Sequence, residues 1–203
     1  MERTENSRKS LTDTTNIRKC RACGLHLNQL PVVDKNKKAN VFWVGLSSVL
    51  ITDKENQIPL SPNTKSGALI ESIEAPYKQD LLFYKTNVVK CLPLSHPNKK
   101  IRYPLRNEME KCYPNLTFEI EAIKPSVLFL LGKQVANFIL DKHSKKISGF
   151  DDDFIYKSFV IDDIQYVPIH HPSFILVYKR NYIRKYKMGI SSYFEKILET
   201  VPV

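Results

Sequence analysis

LLFYKTNVVKC, residues 81–91, is apolar for most of its length and ends on polar side chains that can do chemistry. A short run of this kind reads as a parallel strand buried on both faces, because a strand with one wet face alternates instead. Similar runs stand on either side: NVFWVGL at residues 40–46, bounded by a lysine-rich loop and Gly45, and PSVLFLL at residues 125–131. Helical spacing marks residues 64–75, closed by Pro76, residues 105–123, with a break expected near Pro114, and residues 133–140, opened by Gly132. Residues 154–161 and 164–169 read as a hairpin turning through Asp162-Asp163. His170-His171-Pro172-Ser173 reads as the start of a loop, and residues 178–200 as a basic, aromatic last helix. Strands alternating with helices imply an α/β chain, three layers deep (α/β/α), around a central, mostly parallel four-stranded sheet.

In such sheets ligands sit beyond the carboxyl ends of the strands. Gly45, Asn87, Gly132 and His171 all fall at or just past the end of a strand in this reading. The topology alone therefore brings them to one rim. Residues 47–63, with two prolines and mixed polar side chains, form a long loop beside that rim, and loops this long in a compact domain are usually functional.

Composition narrows the function. The chain carries 31 Lys and Arg against 21 Asp and Glu, a formal charge of +10, which draws polyanions from a distance and makes nucleic acid the leading partner. No run approaches the roughly 20 apolar residues of a membrane span, and the N-terminus has no apolar core of a signal peptide. The expectation is a cytoplasmic, monomeric protein with no membrane segment. Residues 1–16 are polar and without periodicity, a flexible tail ahead of one domain at residues 17–203.

The four cysteines carry a second signal. Cys20 and Cys23 form a C-x2-C pair, a spacing that points two sulfurs at one centre; Cys91 follows the strand at residues 81–90 and Cys112 falls on a helix. In a reducing compartment such thiols serve as ligands more often than as disulfides, and thiolates suit zinc or an iron–sulfur cluster. Taken singly, Cys91 and Cys112 also read as ordinary buried core thiols.

The ordered set of motifs resembles the iron–sulfur uracil-DNA glycosylases, families four and five. It comprises the C-x2-C; Val44-Gly45 with a loop reaching Pro59; Thr86-Asn87-Val88-Val89-Lys90-Cys91; Cys112 on a helix; Leu131-Gly132-Lys133; and His171-Pro172-Ser173. The likeness spans about residues 17–180. It implies the uracil-DNA-glycosylase fold, a 4Fe-4S cluster on Cys20, Cys23, Cys91 and Cys112 with zinc as the alternative, and a uracil flipped out of DNA. By that resemblance His171 would donate to the uracil carbonyl as negative charge grows on the departing base, and Asn87 would read its Watson–Crick edge. Gly45, Leu46 and Leu60 would line the base pocket. Ser173, Phe174, Leu176, Lys179 and Arg180 would face the DNA, apolar wedges beside cations on the phosphates.

Two departures bear on activity. The family-four loop after the first strand reads G-E-[AP]-P-G, whereas this chain has Gly45-Leu46-Ser47-Ser48-Val49, so the carboxylate that helps position water is gone; family five also has leucine there, but keeps a following alanine and proline that this chain lacks. Asp53 or Glu55, farther along the loop, could supply a carboxylate. The family also sets an aromatic residue after the proline to stack on uracil; here Leu60 follows Pro59, leaving Tyr77 or Phe83 as substitutes from elsewhere. The two expectations are thus a DNA-binding glycosylase with weakened excision, and an inactive member retained to bind DNA or a protein partner.

Overall fold

The computed structural model describes residues 15–51 and 58–200 of the chain. The stretch expected as a tail therefore lies outside the described residues, except for residues 15 and 16, which open a short helix. In chain order the elements are α1 (Thr15–Arg18), β1 (Val41–Ser47), α2 (Lys65–Glu74), β2 (Phe83–Val89), α3 (Arg106–Ile123), β3 (Val127–Leu131), α4 (Lys133–Asp141), β4 (Phe159–Ile161), β5 (Ile164–Ile169), α5 (Pro172–Tyr178) and α6 (Ile183–Thr200).

The strands form one sheet in the order β2-β1-β3-β5-β4, parallel except for β4, which runs antiparallel to β5. It has five strands where the sequence pointed to four. The additional one is the short antiparallel edge, the first arm of the expected hairpin cut back to three residues. Ahead of it Phe154 takes φ 60°, and Phe154 and Tyr156 turn their rings into the core against Tyr186 instead of extending the strand.

Alternation along β1 shows how one strand serves two layers. Val41 and Trp43 face a core completed by α2 and α6, while Phe42 and Val44 face one completed by α3 and α4. Trp43 stacks on Phe129 at 4.9 Å and meets Phe194 edge-on at 6.3 Å. Burying each such ring contributes roughly 1.5–3 kcal/mol.

Two local expectations are corrected. α3 runs unbroken through Pro114, because Cys112, Leu116, Glu119 and Ile120 are buried on both sides of it and hold the helix against the missing hydrogen bond. The residues after His171 are not a loop but α5. His171 caps that helix, its side chain accepting the Ser173 N–H, and Pro172 occupies the first turn, where its fixed φ fits and its missing N–H costs nothing.

No helix among the described residues is long and apolar enough to cross a membrane.

Candidate functional site

The carboxyl ends of β1, β2, β3 and β5 open into a cleft of about 1260 Å³. Its floor is built by parallel pairing. Gly45 on β1 sits opposite Asn87 on β2, and a Cβ at Gly45 would stand 2.3 Å from the Asn87 Oδ1 and 3.3 Å from Leu60 Cδ2. Only glycine leaves room there for an amide that is 2 % exposed and still lines the cleft. Leu60 completes this corner with φ 51°, a left-handed conformation that costs a non-glycine residue roughly 1–2 kcal/mol.

The opposite wall comes from the ends of β3 and β5. Gly132 donates its N–H to Ile169 O at 2.8 Å, has φ 88°, and would bring a Cβ within 3.2 Å of the His171 Cβ. His171 follows β5 at the start of α5 and lines the same cleft as Asn87. Its Nδ1 accepts the Ser173 N–H at 3.1 Å and lies 2.7 Å from the Ser173 hydroxyl. An Nδ1 engaged as acceptor leaves the neutral imidazole its proton on Nε2, which becomes a donor. Burial lowers the His171 pKa below the usual histidine value, favouring that neutral form.

Gly45, Leu46, Leu60, Asn87, His171, Ser173 and Phe174 therefore share one cleft. Leu176, Lys179 and Arg180 do not line it. Leu176 packs half-buried against the core, anchoring α5. Lys179 is drawn to Asp152 at 3.1 Å and over the Tyr182 ring, and Arg180 is exposed on the short turn that follows α5. The suggested substitutes for the stacking aromatic are also elsewhere: Tyr77 and Phe83 pack edge-on against Phe194, away from the cleft. Among the described lining residues there is no Asp or Glu, and Asp53 and Glu55 lie outside the described residues.

Three aromatic side chains do reach the cleft: Phe174 and Tyr178 from α5, and Tyr103 from the segment before α3. Tyr103 and Tyr178 are each 72 % exposed. Sequence reading missed Tyr103, whose only signal was an aromatic residue held between apolar neighbours in a proline-bounded stretch, IRYPL at residues 101–105.

The four cysteines are all free thiols: Cys20 and Cys23 follow α1, Cys91 lies just past β2, and Cys112 sits on α3. The Asn115 Nδ2 lies 3.6 Å from Cys20 Sγ and 3.7 Å from Cys112 Sγ, and the Lys90 N–H points at Cys112 Sγ from 3.4 Å. Burial, and then the neighbouring Cys112, Cys23 and Cys20, push the Cys91 thiol up to about 12. These sulfurs therefore sense one another electrostatically, and a bound cation would reverse that logic. Among the described residues no three His, Cys, Asp or Glu side chains stand close enough to hold one metal ion.

The family model described as the uracil DNA glycosylase superfamily matches residues 29–200. A type-4 uracil-DNA glycosylase of Thermotoga maritima is 30% identical over 176 residues, 83% of this chain and 84% of that protein. One of Archaeoglobus fulgidus is 34% identical over 131 residues, 62% of this chain and 60% of that protein. In fold, the chain is similar to the crystal structure of wild-type Pedobacter heparinus SMUG2, with TM-score 0.57 and 16% identity, over 83% of this chain and 80% of that one. A model matched over most of the sequence and a relative aligned along most of both chains lead to one conclusion: the chain belongs to the uracil-DNA glycosylase superfamily.

Proposed function

We propose that the protein binds DNA and excises uracil from it at a reduced rate, with Asn87 reading the base and His171 stabilising the departing anion. The observation that carries this reading is the shared cleft, an amide on one wall and a neutral, donating imidazole on the other. A uracil rotated out of the strand presents N3–H and O4 to Asn87, which can pair with both and leaves cytosine mismatched. Such a pair discriminates by about 1–3 kcal/mol. As the C1′–N1 bond breaks, its electrons pass to the base and positive charge develops on the sugar. The His171 Nε2–H then donates to the carbonyl oxygen where negative charge collects, a contribution of roughly 2.7–4 kcal/mol for a well-aimed donor.

Water must then add to the sugar. Leu46 occupies the position where family four has its carboxylate, and loss of a general base typically costs roughly 10²–10⁴-fold. The reduced rate follows from that substitution. Its test is excision from a uracil-containing oligonucleotide with protein in excess, read as alkali-labile abasic sites. Slow single-turnover cleavage that disappears in His171→Ala supports the proposal, and wild-type cleavage in that variant refutes it.

Leu46 and Leu60 favour a second reading, a binding module that keeps the fold and holds DNA or a protein partner without excision. It predicts no abasic sites at any protein excess, alongside salt-sensitive DNA binding.

For the cysteines we propose a 4Fe-4S cluster on Cys20, Cys23, Cys91 and Cys112, with zinc on the same four residues as the alternative. The group would supply a structural tie, fastening the N-terminal segment to the end of β2 and to α3. Brown protein with broad visible absorption and iron and sulfide on analysis supports the cluster; colourless protein with stoichiometric zinc supports the alternative.

A further inference from the structure

β2 is an edge strand, and the residue assigned to read the base sits near its end. Alternate backbone groups along such an edge face away from the sheet and need partners. Three side chains supply them. Asn36 Nδ2 donates to Phe83 O at 2.9 Å, Asp34 Oδ2 accepts the Lys85 N–H at 2.9 Å, and Lys90 Nζ donates to Asn87 O at 2.7 Å.

The third differs in kind. The Lys90 side chain is wholly buried, and its ammonium also donates to Thr86 Oγ1 and to Glu119 Oε2, each at 2.5 Å. Three N–H bonds thus meet three acceptors. Glu119, equally buried, further accepts the Thr86 hydroxyl at 2.7 Å and the Tyr84 hydroxyl at 3.0 Å. The result is a closed polar network directly behind the Asn87 peptide.

Stability alone does not account for it, since an apolar pair of similar volume is often as stable as a buried ion pair or more so. An apolar pair could not hold the Asn87 carbonyl. Fixing that carbonyl fixes the peptide, and the peptide sets the direction of an amide already confined by Gly45. We propose that Lys90, anchored by Glu119, is a positioning residue for Asn87 and so sets the discrimination of uracil from cytosine. The inference rests on the proposed role of Asn87.

The test reads base preference without requiring turnover. Affinities are measured for two oligonucleotides that resist excision, one carrying 2′-fluoro-deoxyuridine and one 2′-fluoro-deoxycytidine. Lys90→Met with Glu119→Gln removes both charges while leaving an acceptor for Tyr84. Thr86→Val is a milder variant that deletes one acceptor of the ammonium and keeps the ion pair. Asn36→Ala is the control, since it uncaps the same edge far from Asn87. The wild type is expected to prefer uracil, the double variant to lose about tenfold of that preference, Thr86→Val to lose less, and Asn36→Ala to keep it whatever its melting temperature. A preference retained in Thr86→Val and in the folded double variant overturns the proposal, as does a uniform loss of affinity for both oligonucleotides, which is what a purely structural role predicts. A wild type without preference defeats the reading of Asn87 itself and is distinguishable from either result.

Discussion

One added methyl group tests the site more sharply than any deletion. In Gly45→Ala the new Cβ would stand 2.3 Å from the Asn87 Oδ1, roughly 1 Å short of ordinary contact, and 3.3 Å from Leu60 Cδ2. Leu60 can yield a few tenths of an ångström. Asn87 cannot yield so cheaply, because its residue is 2 % exposed and its carbonyl is held by Lys90 at 2.7 Å. Overpacking of this kind typically costs about 1–3 kcal/mol of stability. The amide must also rotate off the axis on which it would meet the base, and a misplacement of about 1 Å at a reacting centre can cost roughly 10²-fold. The expected outcome is a melting temperature lower by about 2–12 °C, from roughly 2–4 °C per kcal/mol at this chain length, with single-turnover uracil excision down by about 10²-fold. Calorimetry and the abasic-site assay check the two halves independently. A folded Gly45→Ala protein that excises at the wild-type rate would refute the reasoning that Asn87 is confined by Gly45 and acts from that position.

Other perturbations probe separate parts of the site. Leu46→Glu, restoring a carboxylate to the cleft wall, should raise single-turnover excision towards the roughly 10²–10⁴-fold that a general base contributes; an unchanged rate would mean that this position does not govern water. Leu60→Phe should tighten binding of a 2′-fluoro-deoxyuridine oligonucleotide by the roughly 1–3 kcal/mol of base–aromatic stacking, measured by titration. Burial lowers the pKa of both His170 and His171, so the folded protein binds fewer protons than the unfolded chain in the acid range. Stability should therefore rise with pH through about 6.5, where the unfolded histidines are half titrated, and level off about one pH unit above it, as denaturation midpoints between pH 5 and 8 would show. Replacing Cys91 or Cys112 by serine should lower the melting temperature by several degrees, since roughly 2 kcal/mol corresponds to about 4–8 °C at this length, together with the bound metal measured by elemental analysis.

Much of this arrangement was legible in the sequence because parallel strands buried on both faces are continuous apolar runs. VFWVGL and VLFLL form strands as read, and with the strands at residues 83–89 and 164–169 their carboxyl ends deliver Gly45, Asn87, Gly132 and His171 to one rim. What stayed hidden was whatever depends on which of two local rules prevails. His171-Pro172-Ser173 punctuates a loop, yet a capping side chain followed by proline also opens a helix, and here it opens α5. Pro114 should break a helix, but buried side chains on either side of it carry α3 through. Apolar and basic residues on α5 looked alike in one dimension. Only the helical turn separates Phe174 and Tyr178, which face the cleft, from Leu176, which faces the core. The edge caps on β2 were invisible for a different reason: Asp34 and Asn36 reach that edge from one segment about fifty residues upstream, and nothing in one dimension shows that the Lys90 side chain turns back to the Asn87 carbonyl.

The most direct test of the account is the structure of the protein bound to single-stranded DNA carrying one 2′-fluoro-deoxyuridine. The account predicts an extruded uracil in the cleft, its N3–H and O4 within hydrogen-bond distance of the Asn87 amide and a carbonyl oxygen within reach of the His171 Nε2. A base that remains stacked in the strand, or one seated outside the cleft with Asn87 and His171 untouched, would contradict it.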